Sequence, residues 1–325
     1  MLRIASVGWV HPEGVLSEEV LARVGAIPSE EQRALQWGIR HRHSVCDKPF
    51  PPVAGALTPE QMKQRFAVTT APLVDMAVEA AKIAMSRAGI APDQVGAVLG
   101  DTATPIETIP AFAALVAGRL GVKVPAYDVT GITAALPLQL QTLLGWREDV
   151  VPQYSLLVSA NTPTPYLSYA TGDECSWVMS DAAGAVIVEK TSEERGVIVE
   201  SARYRRTGAG VSAVEEVYGL IRGEAEPSGA TLDLVQDLSD EVSLIGLSSW
   251  IVASPTLRSG HAIDEMLGGT GDTLCWCGDE GFSLGSTLFR GLETLLNDSE
   301  WTEGALLCAV GPEGGAGVAR VRRAS

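Results

Sequence analysis

Apolar runs of strand length alternate with stretches of helical periodicity along nearly all of this 325-residue chain. That alternation is the mark of an α/β layered fold. Strands are predicted over 2–10, 95–100, 126–130, 154–160 and 182–190, with helices over 71–89, 109–121 and 135–145. In 71–89 Leu73, Met76, Ala77, Ala80, Ala81 and Met85 recur at helical spacing, and Gly89 is a natural stop. Pro110 reads as a first-turn proline of its helix, where the missing N–H costs nothing. Beyond a break near 190, 195–206 starts as a strand and 207–240 reads as loop with partial helix. A helix end then runs into a strand over 242–254, and a short helix follows at 262–269. The chain closes with a loop feeding a helix (281–296) and a strand, Gly-rich turn and strand (304–323). The two halves share this rhythm, which makes an internal duplication possible without demonstrating one.

Composition narrows the function. A formal net charge of −16 argues against nucleic acid or an anionic membrane as the main partner, since both reward Lys and Arg. No apolar run reaches the roughly 18 residues of a membrane span, and the opening MLRIASVGWV alternates like a strand, unlike a secretion signal. A cytoplasmic protein is expected. Five cysteines in no regular framework suggest reduced thiols. Cys275 and Cys277, one residue apart, are expected to share a strand face as buried packing groups. None of the four histidines forms an H-x3-H pair, so no metal site is expected.

One stretch poses a chemical question. In YDVTGITAAL (127–136) a strand runs into a Gly and an apolar helix follows. A nucleophile belongs at such a junction, yet the most reactive group there is the Thr133 hydroxyl.

Several motifs bear on this in combination: GIRHRH (38–43), AVEAAKIAMSRAGIAPDQVGAVLGDTATP (77–105), SDAAGAVIVE (180–189) and GPEGGAGVARVRR (311–323). In order and spacing the chain resembles the ketoacyl-synthase III family of condensing enzymes over nearly its whole length. The resemblance implies the thiolase fold, five layers α-β-α-β-α from two related halves, here 1–190 with the nucleophile-position turn and 191–325 with the other site loops. It also implies dimerisation through a strand of the first half. Family members use a Cys at a helix N-terminus, which takes an acyl group from CoA, and a His and an Asn that steady the thioester oxygen during decarboxylative condensation.

Matching positions, Thr133 stands five residues after Asp128 where the family has Cys, Ser254 stands for the His, and Ser283 for the Asn. All three can donate hydrogen bonds, but none is a base at neutral pH. His261 is expected at the surface or in a cap. The family's oxyanion hole is built from backbone N–H groups, so Thr133 and the Gly314–Gly315 turn are the candidates for polarising a carbonyl. Trp37, Arg40 and Arg258 are the candidates for gripping CoA or a phosphopantetheine carrier, and Arg42 is a further basic group beside them. No bound cofactor is expected.

Two functions fit. One is acyl transfer from an acyl-CoA or acyl carrier protein to an alcohol or amine, which needs positioning and an oxyanion hole but lacks a visible base. The other is a non-catalytic subunit, in a homodimer or heterodimer, that shapes an active homologue's tunnel.

Overall fold

In the computed structural model, described residues are 1–23, 39, 41–53, 57–107, 109–170, 173–208, 221, 224–269, 272–275 (backbone), 280–299 and 301–324. Among the described residues, twelve strands fall at Leu2–Val10 (β1), Val15–Ser17 (β2), His41–His43 (β3), Val95–Asp101 (β4), Ala126–Asp128 (β5), Tyr154–Asn161 (β6), Ala182–Lys190 (β7), Gly196–Arg206 (β8), Leu247–Ala253 (β9), Asp272–Cys275 (β10), Gly304–Val310 (β11) and Gly315–Ala324 (β12). Helices are Glu18–Arg23 (α1), Pro59–Ala67 (α2), Leu73–Ala88 (α3), Phe112–Leu120 (α4), Ala135–Leu144 (α5), Cys175–Val178 (α6), Gly229–Val242 (α7), Leu257–Met266 (α8) and Gly285–Asn297 (α9).

Ten strands hydrogen-bond in the order β10-β9-β11-β12-β8-β1-β7-β6-β4-β5, while β2 and β3 form a separate hairpin. From the antiparallel β1–β8 seam outward, each side reads antiparallel, antiparallel, parallel, parallel. The same five-strand plan therefore occurs twice, a duplication the sequence alone leaves open.

Strand residues alternate between two apolar environments, as strands covered on both faces must. Leu157, Val186 and Val188 of one half, with Ile251, Leu307 and Ala309 of the other, share a core with Leu136, Leu140 and Leu143 of α5 and Leu288, Phe289 and Leu292 of α9. Their neighbours Leu156, Val158 and Ile187 face α3 and α4. Trp250, Val252, Leu306 and Cys308 face α7 and α8. The layers are thus helix, sheet, central helices, sheet, helix.

Several boundaries differ from the sequence reading. Pro110 precedes α4 across a cis Ile109–Pro110 bond and is not in its first turn. The first turn of α4 is capped from a distance: the Asp128 carboxylate accepts from Phe112 N (2.9 Å) and Ala113 N (2.7 Å). The expected short helix at 262–269 begins earlier, at Leu257, with Thr256 as N-cap. Within 207–240 a full helix, α7, starts at Gly229. Cys275 closes β10, while Cys277 lies outside the described residues. No described helix is long and apolar enough to cross a membrane.

Candidate functional site

Both central helices begin at strained backbone. Ile132, entering α5, has φ 53°, and Leu284, entering α9, has φ 53° and ψ −130°. Left-handed backbone at a β-branched or bulky residue costs about 1–3 kcal/mol and is held only where the surroundings impose it. Here the two helix entries press on each other. A Cβ on Gly285 would lie 2.4 Å from Ile132 O and 2.5 Å from Ser159 Oγ, so that position accepts only glycine.

Thr133 is completely buried at this convergence. Its partner is a residue that the sequence reading did not single out. The β11–β12 hairpin turns through Gly311, Pro312, Glu313 and Gly314, closed by Gly314 N→Gly311 O (3.2 Å) and Gly311 N→Gly315 O (3.0 Å). Pro suits the second position of such a turn, and Gly314 takes the left-handed conformation (φ 81°) that ends it. This aims the buried Glu313 side chain at the α5 N-terminus. Thr133 N donates to Glu313 Oε1 (3.0 Å) and Thr133 Oγ1 donates to Oε2 (3.1 Å). Gly311 leaves room for this contact, since a Cβ there would fall 2.0 Å from Glu313 Oε2 and 2.2 Å from Thr133 Oγ1.

A second buried carboxylate, Asp101 at the end of β4, holds the preceding residues. Its Oδ1 accepts from Gly131 N (3.0 Å) and Ile132 N (3.1 Å), and its Oδ2 from Ser159 Oγ (2.7 Å). Burial pushes Asp101 up to about 7, with the Glu313 charge adding to the rise and the three hydrogen bonds opposing it. Glu313 is also pushed up by burial, partly offset by the Thr133 donors and the Arg206 charge. The three successive N–H groups at this helix entry, those of Gly131, Ile132 and Thr133, thus all donate to the protein's own carboxylates.

The network reaches Ser283. Asn161 Nδ2 donates to Ser159 Oγ (3.2 Å) and to Ser283 O (3.5 Å). Ser283 Oγ shares a hydrogen bond with Thr287 Oγ1 (3.2 Å). Ser254 is buried in a different group: its Oγ donates to Thr256 O (2.9 Å), and Thr256 Oγ1 bonds Glu226 (2.7 Å) and Ser259 (2.9 Å). The structure therefore links the Ser283 carbonyl through Asn161 and Ser159 to the Asp101 carboxylate that holds Gly131 and Ile132, sets Thr133 on Glu313, and ties Ser254 into the cap of α8.

The backbone oxyanion candidates have internal acceptors as well. Thr133 N–H points to Glu313 and Gly314 N–H to Gly311 O. The Gly315 carbonyl receives the Gly311 N–H, and a Cβ on Gly315 would lie 3.2 Å from Glu313 Oε1. The Thr133 and Gly314 N–H groups are thus taken, and the Glu313 carboxylate lies on the donor expected for a substrate carbonyl. Trp37 and Arg40 lie outside the described residues, and Arg258 is exposed in the first turn of α8. Arg42 is buried, bonded through Nε to Trp177 O, and does not face solvent as a phosphate grip would. His261 is exposed on α8. Cys46, Cys175 and Cys308 are buried free thiols. Burial raises Cys46 and Cys308 to about 12, so neither ionises near neutrality. Among the described residues no three His, Cys, Asp or Glu side chains are arranged to hold a metal.

Two five-strand halves around two buried helices, with a site at the helix entries, define a thiolase-fold protein, and the chain is ketoacyl-synthase III-like. It is 31% identical over 167 residues to β-ketoacyl-[acyl-carrier-protein] synthase III 3 of Streptomyces coelicolor, a match covering 51% of this chain and 48% of that protein. The chain thus spans about half the length of that relative. It is 25% identical over 265 residues to β-ketoacyl-[acyl-carrier-protein] synthase III of Rickettsia rickettsii, covering 81% of this chain and 69% of that one. The solved 3-oxoacyl-[acyl-carrier-protein] synthase III of Aquifex aeolicus superposes with a TM-score of 0.80 at 18% identity, covering 99% of this chain and all of that one. No protein-family model matches the chain.

Proposed function

We propose that this chain is a ketoacyl-synthase III-like subunit that does not turn over at its own helix-entry turn and pairs with a Cys-bearing thiolase-fold homologue whose tunnel it shapes. The observation that carries this reading is the Glu313 carboxylate chelated by Thr133 N–H and Thr133 Oγ1. An acyl carbonyl activated there would need the same N–H. Charged, the carboxylate repels the developing oxyanion about 3 Å away; protonated, it is no base. The acyl-CoA or acyl-carrier thioester would then be handled by the partner, in a fatty-acid-like or polyketide pathway. Pairing is supported by β5, which ends the sheet with Tyr127 half-exposed, and by Ile109, 86% exposed on the loop before α4.

One observation favours acyl transfer instead. Glu313 Oε2 lies 3.1 Å from Thr133 Oγ1, within reach for a general base. That is a base the motif pattern does not reveal, but the other oxygen of the same carboxylate sits on the oxyanion donor.

Co-expression with a Cys-bearing ketoacyl-synthase III from the same genome tests the proposal. A one-to-one heterodimer is expected, with a product profile that differs from that of the Cys-bearing protein alone. A chain that stays apart from it and forms an ester or amide from acyl-CoA unaided would overturn the proposal.

A further inference from the structure

A second candidate site lies away from Thr133, beside α2. Thr58 and Gln61 form a reciprocal capping box that starts this helix, and one turn further on Gln64 and Arg65 turn toward the chain segment at 46–53. A pocket of about 470 Å³ opens there. Its walls are mainly apolar, from Phe50, Val53, Leu57 and Val68, with Lys48 and Arg65 as its cations and Asp47 as its one carboxylate, at the rim beside Lys48.

Arg65 is the unusual member. It is 4% exposed, and its Nη1 donates to Pro165 O (3.1 Å) and Leu167 O (2.7 Å). Its guanidinium carbon stands 4.5 Å from the centre of the Phe50 ring. Both hydrogen-bond acceptors are neutral carbonyls, and among the described residues no carboxylate pairs with it. Burial accordingly makes its charge harder to hold. Buried charges are ordinarily paired, because an unpaired one forfeits its hydration without return. With Nη1 committed, Nε and Nη2 remain for a ligand, and a guanidinium edge of that kind matches a carboxylate.

We infer that this pocket binds an amphiphilic carboxylate: an anionic head on Arg65, assisted by Lys48, and a medium alkyl or aryl body against Phe50, Val53, Leu57 and Val68. The volume falls within the range of about 300–1,000 Å³ common for small-molecule sites. The apolar walls favour such a ligand over a bare inorganic anion, which would satisfy the cation and leave those walls unfilled. This site is independent of the state of Thr133.

Calorimetric titration of the full chain with octanoate, octanol and inorganic phosphate tests the inference. Saturable octanoate binding is expected, with octanol at least tenfold weaker, phosphate silent, and Arg65→Met weakening octanoate at least tenfold. Because Arg65 also supports Pro165 and Leu167, Val53→Trp serves as the second variant. It fills the pocket from the opposite wall, and should lose octanoate binding while keeping the wild-type melting temperature. Absence of octanoate binding overturns the inference. So does octanol binding as well as octanoate, phosphate binding as well as octanoate, or octanoate affinity unchanged in the variants.

Discussion

Thr133→Cys alone is acylated by acyl-CoA at least about tenfold more slowly than Thr133→Cys with Glu313→Gly, which gains one acyl group per chain, read by intact mass. Cys is smaller than Thr and fits the buried position, and a helix N-terminus lowers a thiol's pKa. The carboxylate works against this in two ways. A negative charge at about 3 Å raises the thiol's pKa, by a unit or more at such range, and Glu313 Oε1 keeps the N–H that would polarise the incoming thioester. Removing the side chain lifts both effects, and glycine is at home in the Gly311–Gly315 turn. Acylation of the double variant is expected at least about tenfold faster than that of the single one, from the pKa effect alone. Equal labelling of the two would show that Glu313 does not block the turn.

Acidification from pH 8 toward pH 5 stabilises the protein. Burial raises Asp101 and Asp181 from the ordinary 3.8 to about 7, and raises Glu313 as well. Asp181 is held like Asp101, accepting from Val45 N (2.7 Å), Thr164 N (3.0 Å) and the Thr164 hydroxyl. Between about pH 4 and 7 the folded state keeps protons that the unfolded chain releases. This contribution to stability is complete below the unfolded pKa and is lost as pH rises through the folded one. Each group contributes a slope of up to about 1.4 kcal/mol per pH unit, so the two aspartates outweigh His43, whose burial lowers it from 6.5 to about 4 and which opposes one of them below its ordinary value. Denaturant unfolding at pH 5, 6, 7 and 8 measures it. Asp101→Asn, which keeps acceptors for Gly131 and Ile132, should flatten the profile by one group's share. Stability that rises with pH over this range would contradict the assignment.

Much of the fold is legible in the sequence because its strands are apolar on both faces and its helices carry clear periodicity. The start of α4 is not legible, since its cap comes from Asp128 on β5, residues that only the folded sheet brings together. The duplication is likewise a matter of pairing direction, which side-chain patterns do not encode. At the site, Thr133 can be found by counting from Asp128. Glu313 escapes because GPEGGAG reads as a turn whose backbone matters. Its one charged residue, set between the wholly buried strand β11 and the buried start of β12, is the available signal. Ser254 is located by the end of its strand at Ala253, but its surroundings are not legible, because Thr256 starts α8 earlier than the apolar pattern suggests.

On the proposed reading the chain's own carboxylates hold the helix-entry turn shut. The most direct measurement is thiol release from acyl-CoA by the wild-type chain alone, with and without simple amines and alcohols. A rate equal to that of buffer is expected under every condition. Acceptor-dependent release that is abolished by Thr133→Ala or Glu313→Gln would contradict it.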